Sequence, residues 1–159
     1  MAKISILRLF QVNIIFSKPA HAWLKRYGVC YKSLKEVLIY LCYKEGYPSN
    51  KTLHIHIRSN GVNSEFDICR NEINVAVDVK TPNKSSRTRR MIRNLLHELR
   101  HFIQYKIKHM KFKFSYSYRD MMDSSHRYWY APEEVDARRY EIRKLKFVMR
   151  RLKRIKPQV

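Results

Sequence analysis

Two histidines four residues apart, His97 and His101, carry the clearest chemical signal in the chain, and Glu98 directly follows the first. On an α-helix both imidazoles would share one face, about 6 Å apart along the axis. That separation suits two ring nitrogens closing on one tetrahedral zinc ion, with Glu98 beside the metal as a general base. Five letters recur by chance, so the helix that carries them matters as much as the letters.

The spacing predicts that helix over 86–108. The span holds neither Gly nor Pro, and Met91, Ile92, Leu95, Leu96, Leu99, Phe102, Ile103 and Ile107 fall on one broad side. Pro82, Asn83, Ser85 and Ser86 make a turn and offer caps just upstream. His97, His101 and Gln104 gather on the opposite side, with Glu98 at its edge. Histidines placed there are either exposed or covered by a second layer that makes a cleft. Only the covered arrangement lets them do chemistry.

A catalytic zinc takes three protein ligands and leaves a fourth position for water. A third histidine continuing the same helix would fall at Ile107, with Gln104 where that pattern needs a turning glycine, so this arrangement is excluded. The other arrangement takes a carboxylate from a later helix. The stretch from Pro132 to Glu141 opens one, with Pro132 in its first turn and Glu133 and Glu134 at the positive end of its dipole. The pattern continues through Leu145, Val148, Met149 and Leu152 to Ile155. Glu134 and Glu141 line up with this inward stripe, whereas Asp136 points nearly the opposite way and Glu133 to one side. An inward carboxylate must be paired or metal-bound, because an unpaired buried charge is very costly. Glu134 is the candidate third ligand and Glu141 its substitute; a helix cap or an arginine partner is the structural role open to Glu134.

The set His97-Glu98-x-x-His101, followed by Phe102 and Gln104 and then by Glu134-x-x-Ala137, resembles the small gluzincin-type metallopeptidases. These are the minigluzincins and the short peptidases often encoded by phages and viruses, and the resemblance spans roughly residues 52–150. It implies zinc held by His97, His101 and Glu134, with Glu98 activating water for attack on a peptide bond. It also implies a zincin-like core with a β-hairpin ahead of the metal helix. Phe66 to Cys69 and Ile73 to Val77, flanking Arg70-Asn71-Glu72, supply the two arms. Two positions depart from that pattern. Arg100 stands where many relatives carry Gly, placed to crowd the cleft or to contact an acidic substrate. Arg138 stands where some carry Asp, so a carboxylate that orients a ligand histidine must come from elsewhere. The chain further resembles SprT-like proteases, which act on proteins crosslinked to DNA and take a later histidine as third ligand; His109 or His126 would have to serve. His126, Tyr128 and Tyr130, ahead of the Glu134 helix, are candidate oxyanion donors.

Lys and Arg number 34 against 13 Asp and Glu, a formal charge of +21. Such a field attracts polyanions. Arg87, Arg89, Arg90 and Arg93 lead into the metal-motif helix, and Arg150, Arg151, Lys153 and Arg154 crowd the last one. Nucleic acid or nucleoprotein is the matching partner, through phosphate contacts that bind without reading sequence. A membrane partner fits less well, since the last helix carries arginines around much of its circumference, and no apolar run is long enough to span a bilayer. Cys30, Cys42 and Cys69 are isolated and odd in number, the pattern of a reducing compartment and small buried side chains. Met1 to Phe16 is apolar but broken by Arg8, Gln11 and Asn13, a poor signal-peptide core. The expected place is cytoplasmic or virion-associated, not secreted.

Length predicts one domain over residues 1–159, with an N-terminal helical region over 1–50. Residues 1–16 suit an edge strand or a short helix. Lys18 to Tyr27 and Ser33 to Lys44 read as helices joined at Gly28, the second opened by a Ser33-x-x-Glu36 capping box. Leu53, Ile55 and Ile57 alternate with His54, His56 and Arg58, a half-buried strand whose histidines face solvent. Phe112, Phe114, Tyr116 and Tyr118 suit a strand or a loop over the cleft. The whole reads as an α+β domain: N-terminal helices, a short antiparallel sheet, the metal helix and a long C-terminal helix. Two functions fit: a zinc metallopeptidase acting on protein or peptide near nucleic acid, or a non-catalytic basic nucleic-acid-binding or virion protein on a peptidase-like scaffold.

Overall fold

The computed structural model describes residues 12–45, 51–59, 63–77, 83–109 and 129–154. The elements run β1 (Asn13–Phe16), α1 (Lys18–Arg26), α2 (Tyr31–Glu45), β2 (Thr52–Arg58), β3 (Glu65–Asp67), β4 (Glu72–Ala76), α3 (Lys84–Phe102) and α4 (Pro132–Arg154). A π-helical turn, Ile103–Ile107, extends α3. This is an α+β arrangement.

The sheet order is β1-β2-β4-β3. It is mixed rather than antiparallel: β1 pairs parallel with β2 and β2 parallel with β4, and only β3 runs antiparallel to β4. Alternation along a strand reports which face is buried, not the direction of the neighbour, so the sequence could not show this. Parallel neighbours need a long crossover, and α1 and α2 supply it between β1 and β2. Phe16, Ile55, Ile73 and Phe66 lie side by side across all four strands. Phe66 meets Phe102 of α3 edge-on at 5.9 Å, which seats the metal-motif helix over the β3 side of the sheet.

Local chemistry sets the joints. Ser17 caps α1, its Oγ accepting from Ala20 N at 3.3 Å. At the other end Gly28 sits at φ +69°, with Gly28 N bonding Lys25 O and Val29 N bonding Leu24 O. That pair of bonds is a Schellman stop, and the left-handed residue it requires favours glycine. The helix after it starts at Tyr31, so Ser33 lies buried inside α2 and caps nothing. The hairpin β3–β4 turns through Asp67, whose Oδ1 accepts from Cys69 N and Arg70 N at 2.9 and 3.0 Å, and through Asn71 at φ 53°. Asn83 caps α3 by accepting from Ser85 N at 2.8 Å.

His54 and His56 are half-buried on β2 rather than solvent-facing, and His56 lies 3.9 Å from Glu72 on β4. Of the cysteines only Cys42 is buried; Cys30 and Cys69 are exposed, and all three are free thiols. Among the described residues no helix is long and apolar enough to cross a membrane. The expectations for residues 1–11 and for Phe112 to Tyr118 lie outside the described residues, as do His126 and Tyr128.

Candidate metal centre

α3 and α4 pack side by side in opposite directions: His101 and His97 reach Glu134, and one turn back His97 and Arg93 reach Glu141. The histidine face that opposes the sheet is therefore covered by α4. His97 Nε2 lies 3.0 Å from Glu134 Oε2, and His101 Nε2 lies 3.2 Å from Glu134 Oε1. Ligand atoms of His97, His101 and Glu134 all fall within 4.8 Å of one another. Ligands around a tetrahedral zinc with bonds of about 2.1 Å stand about 3.4 Å apart, so the three need move little to share an ion.

What lies behind each ring decides which nitrogen faces the centre. Gln104, 0% exposed in the π-helical turn, donates from Nε2 to Glu133 O at 3.1 Å and to Asp136 Oδ2 at 2.8 Å. Both partners accept only, so the amide cannot be reversed and its Oε1 faces His101 Nδ1 at 2.9 Å. His101 must therefore carry a proton on Nδ1, which makes Nε2 the nitrogen available to a metal. On the other ring Glu141 Oε2 accepts from His97 Nδ1 at 2.9 Å, while Glu141 Oε1 takes Arg93 Nε at 2.7 Å. A carboxylate only accepts, so His97 is fixed the same way. Two imidazoles with outward protons and a carboxylate between their inner nitrogens are a donor set that could hold a metal ion.

Without metal the set holds itself together by ion pairing. Burial opposes charge on His97, but the hydrogen bonds it donates to Glu134 and Glu141 outweigh it and carry the ring up to about 10. His101 is raised too: burial again opposes charge, and the Glu134 bond prevails. Burial would lift Glu134, yet the two histidines hold it at about 2. Glu98 behaves differently. It is buried, and burial raises its carboxyl against the pull of His101 and His97.

Further out, Arg100 is 6% exposed and gives Nε to Asp136 Oδ2 at 2.6 Å and NH1 to Glu45 Oε2 at 3.0 Å. It lies over the Tyr140 ring at 5.0 Å. It therefore neither crowds the cleft nor awaits an acidic substrate; it ties α2, α3 and α4 together. Asp136 joins the chain that ends at His101, although a straight helical wheel turns it away. Tyr105, one turn after His101, stacks on that ring at 6.5 Å, and burial pushes its hydroxyl up to about 12. The i, i+4, i+8 run His97, His101, Tyr105 was the available signal for it.

The remaining expected residues stand apart. His109 lies just past the π-helical turn, at φ 51°, and is not in the cluster. Tyr130 is 61% exposed, ahead of α4. Glu133 is buried, and neither of its carboxylate oxygens has a hydrogen-bond partner among the described residues. Of the expected nucleic-acid contacts, Arg89 and Arg90 line a cleft with Arg93. Arg150, Arg151 and Lys153 are exposed along α4, and Arg87 is half-buried. The Arg154 side chain lies outside the described residues.

No family model, curated protein or solved structure matches the chain. The chemistry rests on the residues themselves.

Proposed function

We propose that the protein is a zinc-dependent metallopeptidase of the gluzincin kind, on a zincin-like scaffold, acting on protein substrates near nucleic acid or nucleoprotein. The observation that carries this reading is the fixed orientation of both rings: His97 and His101 turn Nε2 toward one carboxylate, Glu134, with their outer protons committed to Glu141 and Gln104. A structural pair of histidines needs no such double anchoring. Zinc held there supplies Lewis acidity toward a water and a carbonyl oxygen.

The protein's own groups do the rest. Glu98 takes a proton and returns it to the leaving amine, and burial raises its carboxyl above the usual carboxylate range. Glu141 and Gln104 keep the ligand rings from turning. Arg93 and Asp136 in turn hold Glu141 and Gln104.

The test is hydrolysis of an unfolded protein by the zinc-loaded chain and by Glu98→Gln. The reading expects cleavage by the wild type, and a loss of at least about 100-fold in the variant with equimolar zinc retained. Equal cleavage by both would remove Glu98 from the mechanism. No cleavage by a zinc-loaded wild type would favour the second reading, a non-catalytic basic binder on the same scaffold, which the +21 charge supports.

A further inference from the structure

Because α3 and α4 are antiparallel, the acid-free start of one lies beside the acid-free end of the other. No Asp or Glu occurs between Asp78 and Glu98, or after Glu141. Between these two stretches opens a cleft of about 400 Å³, lined by Ser86, Arg89, Arg90, Arg93, Ile142 and Leu145. Arg89 and Arg90 are exposed at its wall, and Ile142 is 64% exposed within a cationic surround. An isoleucine left open among three arginines fits a ligand that is anionic on one side and apolar on the other.

We propose that this cleft binds the phosphodiester backbone of nucleic acid, with Arg89, Arg90 and Arg93 on phosphates and Ile142 against sugar or base. A guanidinium fork matches phosphate oxygens in geometry as well as charge. A small free anion would leave most of the cleft empty, and α4 carries exposed Arg150 and Lys153 beyond it. A flat anionic membrane would touch the rim, whereas a strand can enter. The site deepens the nucleic-acid part of the proposed function and does not depend on the metal.

Its position gives it a purpose. Arg93 shares Glu141 with His97, one helical turn and about 6 Å of rise along α3. A strand in the cleft therefore lies beside the candidate metal centre. Taken with the proposed peptidase function, on which this step rests, the substrate class it selects is protein already bound to nucleic acid.

The experiment is fluorescence anisotropy of a labelled single-stranded oligonucleotide with the full chain over a series of salt concentrations. Two double variants each lose two positive charges: Arg89→Ala with Arg90→Ala in the cleft, and Lys25→Ala with Lys32→Ala on α1 and α2. The cleft pair should weaken binding about tenfold or more and flatten the slope of log affinity against log salt by about 1.4. The control pair should weaken it less than about twofold. Ile142→Glu, which removes no cation, should also weaken binding about tenfold, guarding against a folding artefact in the arginine pair. Equal losses in both double variants would overturn the cleft and leave diffuse attraction. Absence of binding by the wild type would overturn the nucleic-acid partner as well. Binding to anionic vesicles that the cleft pair abolishes, with oligonucleotide binding intact, would assign the cleft to a membrane instead. None of these results bears on zinc or on peptide hydrolysis.

Discussion

At His101 the ring nitrogen that faces the centre is chosen by an amide that cannot turn around. Gln104 spends both N–H groups on acceptors, so its oxygen is committed to the imidazole. At His97 a carboxylate makes the same choice. Partners of this kind behind metal ligands are worth about 10–100-fold in metal affinity. Glu141→Ala and Gln104→Leu should each weaken zinc binding by that factor in a competitive chelator titration, and unchanged affinity in both would show the rings to be held by packing alone. The metal-free pairs also set a pH window. His97, raised to about 10 from 6.5, contributes stability fully below pH 6.5 and loses it as pH rises through about 10. Glu134, lowered to about 2 from 4.5, contributes fully above 4.5 and loses it as pH falls through about 2. In chelator, the stability advantage of the wild type over Glu134→Gln should therefore be greatest between about pH 4.5 and 6.5 and shrink on either side. An advantage independent of pH would mean that Glu134 is not ion-paired. The spacing of His97 and His101 and the inward stripe carrying Glu134 and Glu141 could be read from residues alone. The role of Glu141 could not. Two turns separate it from Glu134, so it reaches the opposite nitrogen of His97, and a wheel projection discards that distance along the axis.

Among the elements, α4 does more than cover a cleft. It packs against α3 on one side and α2 on another, and Arg100 spans the three by pairing Glu45 and Asp136. Removing one member of a buried ion pair leaves charge without compensation; because Asp136 and Glu45 keep some contact with water, about 2–3 kcal/mol is expected rather than the upper range. Arg100→Ala should lower the urea midpoint accordingly without changing its slope, whereas a loss below about 0.5 kcal/mol would make this a solvated surface network. The sequence marked α3 and α4 well, since caps, periodicity and the absence of Gly and Pro agree over long spans. It placed the Asp136 side chain wrongly, because a wheel allows a helix one buried side and α4 has two neighbours. It missed the π-helical turn that carries Gln104, which differs from an α-turn by one hydrogen bond rather than by residue type. The parallel pairing of β1, β2 and β4 is set by crossover connections that no local pattern records.

For the molecule as a whole the governing number is +21. Self-repulsion at that charge destabilises the compact state, and the ion pairs around Glu45, Asp136, Glu134 and Glu141 work against it locally. Salt screens exposed charges over about 10 Å at 0.1 M and buried pairs much less. The Tm of the free chain should therefore rise by several degrees on going from low salt to about 0.5 M. A fall would show that exposed ion pairs outweigh the repulsion. The central claim is that His97, His101 and Glu134 together hold one divalent ion, and zinc titration of the metal-free chain tests it most directly, with stoichiometry, affinity and protons released read in the same experiment. One zinc per chain is expected, bound with release of protons because Glu134 raises both His97 and His101 in the metal-free chain, and at least about 100-fold more weakly in Glu134→Ala. Zinc binding that Glu134→Ala and His97→Ala leave unchanged, or no binding by the wild type, would contradict it.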